Sequence, residues 1–289
     1  MELNSEVVTA PPRAAATVVM LRDAPEGLEV FLLKRHGNSD VLGGAYVFPG
    51  GKVDAADAGL AGHLDQSPAE LHAALGETEL DLPAATSFYV AALREAFEES
   101  GVLFATEADA AQLQQAADLL RQGRAFGAVL TQLALQLDTR SVLPWSRWIT
   151  PRMPSVSNKR FDTRFFVAAV PAQQTARHDD YEATESVWLA PRMALQQYWD
   201  GRIALAPPQI MSLAHLARHA SVAGVLAEAR QRRPPVILPE PFDQEGMRVI
   251  CYPGDERHPV SERALPGPTR LHFRNKRFEP HGGFEGLFD

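Results

Sequence analysis

The chain has 289 residues, 45% of them apolar and 22% charged, which are ordinary values for a soluble globular protein with room for a full core. Its 28 basic and 36 acidic side chains leave a formal charge of −8. That balance excludes the basic stripe of a nucleic-acid-binding surface, but not small phosphorylated ligands, for which a metal ion supplies local positive charge.

A single cysteine, Cys251, rules out an intrachain disulfide and a cysteine zinc cluster. It reads as a small buried hydrophobe in a reducing compartment rather than as a nucleophile. No stretch reaches the roughly 18 apolar residues that span a bilayer, and residues 1–13 show no basic-then-apolar leader. The expectation is therefore a cytoplasmic protein with neither a membrane nor a nucleic-acid partner.

Residues 1–12 are polar with a Pro11-Pro12 pair and predict a loose arm. Two apolar runs, 14–21 (AAATVVML) and 28–34 (LEVFLLK), flank turn chemistry at 22–27 and predict a hairpin. A polar loop over 36–44 leads to a short strand at 45–48, which runs into Pro49-Gly50-Gly51. Residues 58–86 are rich in Ala, Leu, Asp and Glu, with a short helix expected over 68–75 behind a Ser67 cap. A longer helix is predicted over 87–100. Ser87 is its N-cap, Val90, Leu93, Ala96 and Phe97 form its apolar stripe, and Gly101 is its stop.

A strand at 102–105 and helices at 107–122 and 126–137 follow. Residues 142–149 and 161–170 predict paired strands joined by turn-rich 151–159, and 185–189 a further strand. Helices are expected from 193 to 199, 207 to 219 and 221 to 232. From Pro234 the composition turns proline-rich, with strand patterns only at 247–252 and 269–278 and a turn at Asn275-Lys276. The expected division is a main domain over 1–235 and an extension over 236–289. The extension is either a small β appendage or an arm that reaches a partner subunit in a homodimer.

Chemistry concentrates at residues 94–102, REAFEESGV. On a helix Glu95, Glu98 and Glu99 are spaced i, i+3, i+4 and share one face, where like charges repel. A hard divalent cation with oxygen ligands turns that liability into a site. The glycines at 50 and 51 suit a loop whose backbone comes close to a metal or a phosphate.

This stretch resembles the second half of the Nudix hydrolase signature, and Phe48-Pro49-Gly50-Gly51 resembles the start of the first half. Two departures stand out. Asp57 occupies the position of a glutamate, and 36 residues rather than 7 separate it from Arg94, an insertion of 29. A loop can lengthen at small cost in closure entropy. The same interrupted form resembles the coenzyme A diphosphatase-like branch of the family, over about residues 14–200.

The resemblance implies an α/β (α+β) fold: a Nudix-type mixed β-sheet between helices, with a helical insertion and a C-terminal appendage. It implies hydrolysis of the pyrophosphate of a nucleoside diphosphate derivative with Mg²⁺ or Mn²⁺, coenzyme A or acyl-CoA being the preferred substrate. ADP-sugar or NADH-type pyrophosphatases are the alternative, and a non-catalytic ligand sensor the rival. Glu95, Glu98 and Glu99 are the expected metal ligands, joined by the Gly50 carbonyl. Arg94 is expected to hold a carboxylate by a bidentate pair, and Asp57 to keep a positional role.

Glu182, and after it Glu185, are the expected water-activating base; ordinary surface charge is the alternative for both. Lys159, Arg160 and Arg164 are expected at phosphates and Phe161 on a base, with Phe165 or Phe166 in the core. Arg35 is expected at substrate, in a segment that echoes a coenzyme A motif but carries Asp40 where an arginine belongs. His36, His63 and His72 lack zinc-ligand spacing. The insertion over 58–86 is expected to cap the substrate cleft.

Overall fold

A computed structural model describes residues 3–4, 6–39, 41–156, 158–179 and 183–289. Strands β1 (Arg13–Ala24) and β2 (Gly27–Arg35) form the predicted hairpin, three residues longer at the end of β1 than the apolar run. They pair only from Leu21 to Val30 and then splay. The fork between them is filled by β3 (Tyr46–Val47), which pairs with β2, and β4 (Gly50–Lys52), which pairs with β1. Phe48-Pro49 thus turns inside the fork, and the Pro49 carbonyl accepts from Val18 N at 2.9 Å.

Helix α1 (Pro68–Leu75) starts on a Ser67/Glu70 capping box and ends on Gly76 at φ 69°. Helix α2 (Leu82–Ser100) begins five residues before the predicted start. Asp81 rather than Ser87 is its cap, and Pro83 lies in the first turn, where its missing N–H costs nothing. A two-stranded ribbon of β5 (Ala105–Thr106) and β6 (Gln136–Leu137) brackets α3 (Ala110–Arg121) and α4 (Phe126–Gln132). Helix α4 stops short of the predicted residue 137 because Ala134 takes a left-handed φ of 50°, which sends Leu137 into the ribbon.

The large sheet gains β7 (Val142–Ile149), β8 (Phe161–Ala169) and β9 (Ala183–Leu189). Helices α5 (Pro191–Trp199), α6 (Pro207–Leu216) and α7 (Val222–Gln231) follow, then β10 (Val236–Ile237). The sheet runs β10-β7-β8-β1-β2-β3, with β4 on β1 and β9 on β2. β8 is parallel to β1 and the hairpin pairs are antiparallel, so the sheet is mixed. Side chains alternate across it. Ala16, Val18 and Met20 enter one core with α1 to α4, and Val19 and Leu21 enter a second with α5 to α7. Both faces are covered, which is why these strands are apolar throughout.

The extension forms a four-stranded antiparallel sheet, β11 (Glu240–Gln244), β12 (Met247–Cys251), β13 (Arg270–Arg274) and β14 (Arg277–Glu279). Asn275 and Lys276, both at positive φ, make the β13–β14 turn. Strand β11 has no sequence signature because Pro241 interrupts it. Ile250, Tyr252, Leu271 and Phe278 pack into the second core, so this sheet is an appendage on the chain's own body. Cys251 is fully buried there, and burial, with Asp255 nearby, pushes its thiol up to about 11. Among the described residues no helix is long and apolar enough to cross a membrane.

Candidate active site

Helix α2 lies beside the fork and brings the two halves of the split motif together. Gly50 and Gly51 are there for space rather than for an unusual φ. A Cβ on Gly50 would fall 2.4 Å from Thr17 Oγ1, and one on Gly51 would fall 2.5 Å from the Glu95 carboxylate. In the β1–β4 ladder Gly50 faces Thr17 between hydrogen-bonded positions, so its N–H and C=O turn away from β1. The Gly50 N–H donates to Glu99 Oε2 at 2.8 Å.

Arg94 is the hub. Its Nε and Nη2 donate to the two oxygens of Asp57 at 3.0 and 3.1 Å, the expected bidentate pair. Nη2 also donates to the Lys52 carbonyl at 2.9 Å, and Nη1 to Glu95 Oε1 at 2.8 Å and Glu98 Oε2 at 3.0 Å. Asp57, 1% exposed, accepts from Asp54 N as well. Burial alone would lower the Arg94 pKa, but Asp57, Glu95 and Glu98 together hold it above its ordinary value. Burial raises the Glu98 carboxyl above the usual range, and Arg94 opposes that rise.

A cleft of about 710 Å³ opens in front of Gly50, Gly51 and Glu95. Lys52, Asp54, Arg35, His36 and Lys159 line its polar part, and Phe48, Trp148, Phe161, Phe165 and Ile250 its apolar part. The sequence model of the NUDT19 Nudix domain matches residues 5–216. The chain belongs to this Nudix family.

Three curated relatives share the description acyl-coenzyme A diphosphatase NUDT19. The human protein is 29% identical over 276 residues, covering 80% of this chain and 72% of the relative. The Gallus gallus protein is 28% identical over 305 residues, covering 86% and 80%. A crystal structure of a Nudix hydrolase from Alicyclobacillus acidocaldarius superposes with a TM-score of 0.63 at 28% identity, over 76% of this chain and 97% of that one. The chain is thus a Nudix hydrolase, an enzyme that cleaves pyrophosphate bonds, and Nudix hydrolases generally work with divalent cations.

The residues fit such a cation. The donors on this face of α2 are all carboxylate oxygens, which suit hard ions. Glu95 faces the cleft beneath Gly51, and the Glu98 side chain is 38% exposed. As a trio the carboxylates do not gather within 4.8 Å of one another. Glu99 turns to the glycine loop, while Glu95 and Glu98 lean on Arg94. That spread suits an ion that keeps several waters and shares its site with substrate.

Other expected site residues divide. Arg35, Lys159 and Phe161 line the Nudix cleft. Arg164 does not. Along β8, Phe161, Thr163 and Phe165 face the cleft, whereas Asp162, Arg164 and Phe166 face the other way. Arg164 is 3% exposed, forks onto Glu77 of the insertion, and lies 3.9 Å over the Phe88 ring. Arg160 is also drawn off, donating to the carbonyls of Thr150 and Ala10 at 3.0 and 3.1 Å.

Glu185 sits across from Lys34 on β9, 3.4 Å from its Nζ, and helps push the already buried Tyr46 hydroxyl up to about 12. Glu185 does not line the cleft. Asp40, Asp180 and Glu182 lie outside the described residues. The loop before Glu182 is nonetheless tied to α2, since Arg177 N and Asp179 N donate to the carbonyls of Ser100 and Glu99.

The insertion does not cap the cleft, because no residue from 58 to 86 lines it. Its apolar side chains Leu64, Leu71 and Leu75 are consumed in the first core. Sequence reading missed Trp148, the Pro207–Gln209 turn, Pro239 and Ile250 as cleft walls. These come from four distant segments and carry no local signal.

Proposed function

We propose that this Nudix hydrolase cleaves the pyrophosphate of coenzyme A or an acyl-CoA with Mg²⁺ or Mn²⁺. One observation carries the choice of substrate: relatives bearing the acyl-coenzyme A diphosphatase description align over 80% and 86% of the chain. A cleft of about 710 Å³, polar at the glycine loop and apolar beyond it, suits a nucleotide with a long organic arm. When bound, the ion acts as a Lewis acid on the phosphate oxygens.

In this reading Glu95, Glu98 and Glu99, with the Gly50 carbonyl, hold the ion. Arg94, anchored by Asp57, orients Glu95 and Glu98 and opposes the rise that burial imposes on the Glu98 carboxyl. The loop over 179–182 supplies the group that takes a proton from the attacking water, with Glu182 the preferred residue. Arg35 and Lys159 offset phosphate charge, and Phe161 offers a face for the base. The catalytic unit is residues 1–235, with the extension lending Pro239 and Ile250 to the cleft wall.

The test is product analysis of the purified chain with coenzyme A, acyl-CoA, ADP-ribose, NADH and nucleotide sugars in Mg²⁺. The expected products are the two phosphate-ester halves of coenzyme A, with kcat reduced on the order of 10²–10³-fold or more in Glu98→Gln. Faster turnover of a nucleotide sugar or of NADH would move the assignment to another substrate. Tight binding without turnover in any divalent metal would overturn the enzymatic reading.

A further inference from the structure

The helical layer opposite α2 holds a second constellation that pyrophosphate chemistry does not use. His215 lies in the last turn of α6, and His219 follows four residues later, with ring centroids 6.0 Å apart. Glu228 of α7 reaches between them. Its Oε1 is 2.9 Å from His215 Nε2 and its Oε2 is 2.9 Å from His219 Nε2. Among the described residues this is the one trio of His, Cys, Asp or Glu whose ligand atoms all lie within 4.8 Å of one another.

His219 Nε2 is buried and has no hydrogen-bond partner, although Glu228 Oε2 stands 2.9 Å away. Nitrogen and oxygen lie side by side, as two ligands of a third atom do. Around one tetrahedral zinc ion, with bonds near 2 Å, neighbouring ligand atoms stand about 3.3 Å apart, so seating the ion widens the 2.9 Å contacts by a few tenths of an ångström. We propose that His215, His219 and Glu228 bind a zinc-type divalent cation, which staples α6 to α7.

The surroundings match. The register of β7 on β8 slips between Pro144 and Ser146, and Trp145 at that bulge lays its ring 4.6 Å from the His215 ring. Arg232 donates from Nε to Glu228 Oε1 at 2.7 Å and from Nη1 to the Trp145 carbonyl at 3.0 Å. That outer bond fixes the carboxylate and leaves Oε2 for the ion. Two imidazoles and one carboxylate favour zinc, copper, nickel or cobalt over magnesium or calcium. Three protein ligands leave a fourth position for water. Since α6 begins with Pro207, Pro208 and Gln209 at the cleft, a staple at its far end braces the cleft wall.

The experiment titrates the full, chelator-treated chain with Co²⁺ in excess Mg²⁺ and follows visible absorption. Intense tetrahedral bands are expected in the wild type and in Glu98→Gln, together with a Zn²⁺-dependent rise in Tm. Both are expected to vanish in His219→Gln and Glu228→Gln. His219 is partly exposed and its glutamine variant keeps the fold, as circular dichroism would verify, so that variant decides alone if Glu228→Gln is unstable. Absence of the bands, their survival in His219→Gln, or their loss in Glu98→Gln would overturn the proposal. None of these readouts depends on the substrate assignment.

Discussion

Asp57 departs from the family pattern in residue type yet keeps a structural part. It opens the short 3₁₀ turn Asp57–His63 against α2, close enough for its shorter carboxylate to meet the Arg94 fork. Removing one partner of a buried pair leaves the other uncompensated. Asp57→Ala is therefore expected to destabilise the fold by about 3–5 kcal/mol, measured by urea denaturation. Gly51 acts through space alone. In Gly51→Ala the new methyl must displace the Glu95 carboxylate, because 2.5 Å is no contact distance. Activity is expected to fall about 10²-fold while circular dichroism stays unchanged, since misplacing a catalytic group by about 1 Å is enough for that.

Strand β8 shows what an element decides that a residue does not. Residues 161–166 hold three phenylalanines and an arginine that look equally suited to a nucleotide. The two-residue period sends Phe161 to the cleft and Arg164 to the ion network of Glu77, Asp162 and Arg147. Phe161→Ala is expected to raise KM for the nucleotide about tenfold through lost stacking, consistent with about 1–3 kcal/mol per stacked base. Arg164→Met is expected to lower the urea midpoint and leave KM unchanged. Steady-state kinetics on both variants checks the pair, and a raised KM in Arg164→Met would return that residue to the cleft. Helix α2 was legible from Ser87 onward because its stripe and glycine stop are local signals, whereas its Asp81 cap and first-turn Pro83 were missed. Helix α4 was overextended because nothing in Leu133–Leu137 betrays the left-handed Ala134.

At the scale of the molecule, both additions to the Nudix core are structural partners of the sheet. The insertion fills the first core, and the extension fills the second with Ile250, Tyr252, Leu265, Leu271, Phe278 and Leu287. Each such buried side chain contributes roughly 1.5–3 kcal/mol, and six together rival the about 5–15 kcal/mol that separates folded from unfolded domains. A chain ending at Ile237 is expected to lose its cooperative unfolding transition, read by urea denaturation and by dye binding to exposed apolar surface. A sharp transition at the full-length midpoint would show that the extension is dispensable.

The split Nudix signature, the α2 face with its three glutamates, and the apolar strands were all readable along the chain, because each depends on spacings of a few residues. The walls of the cleft were not. Arg160, Arg164 and Glu185 carry charge suited to the site but do not line the cleft. Trp148, Pro208 and Ile250 carry no charge yet line the cleft. Charge and aromaticity nominate a residue, while strand register and the packing of segments up to about 200 residues apart decide which way its side chain points.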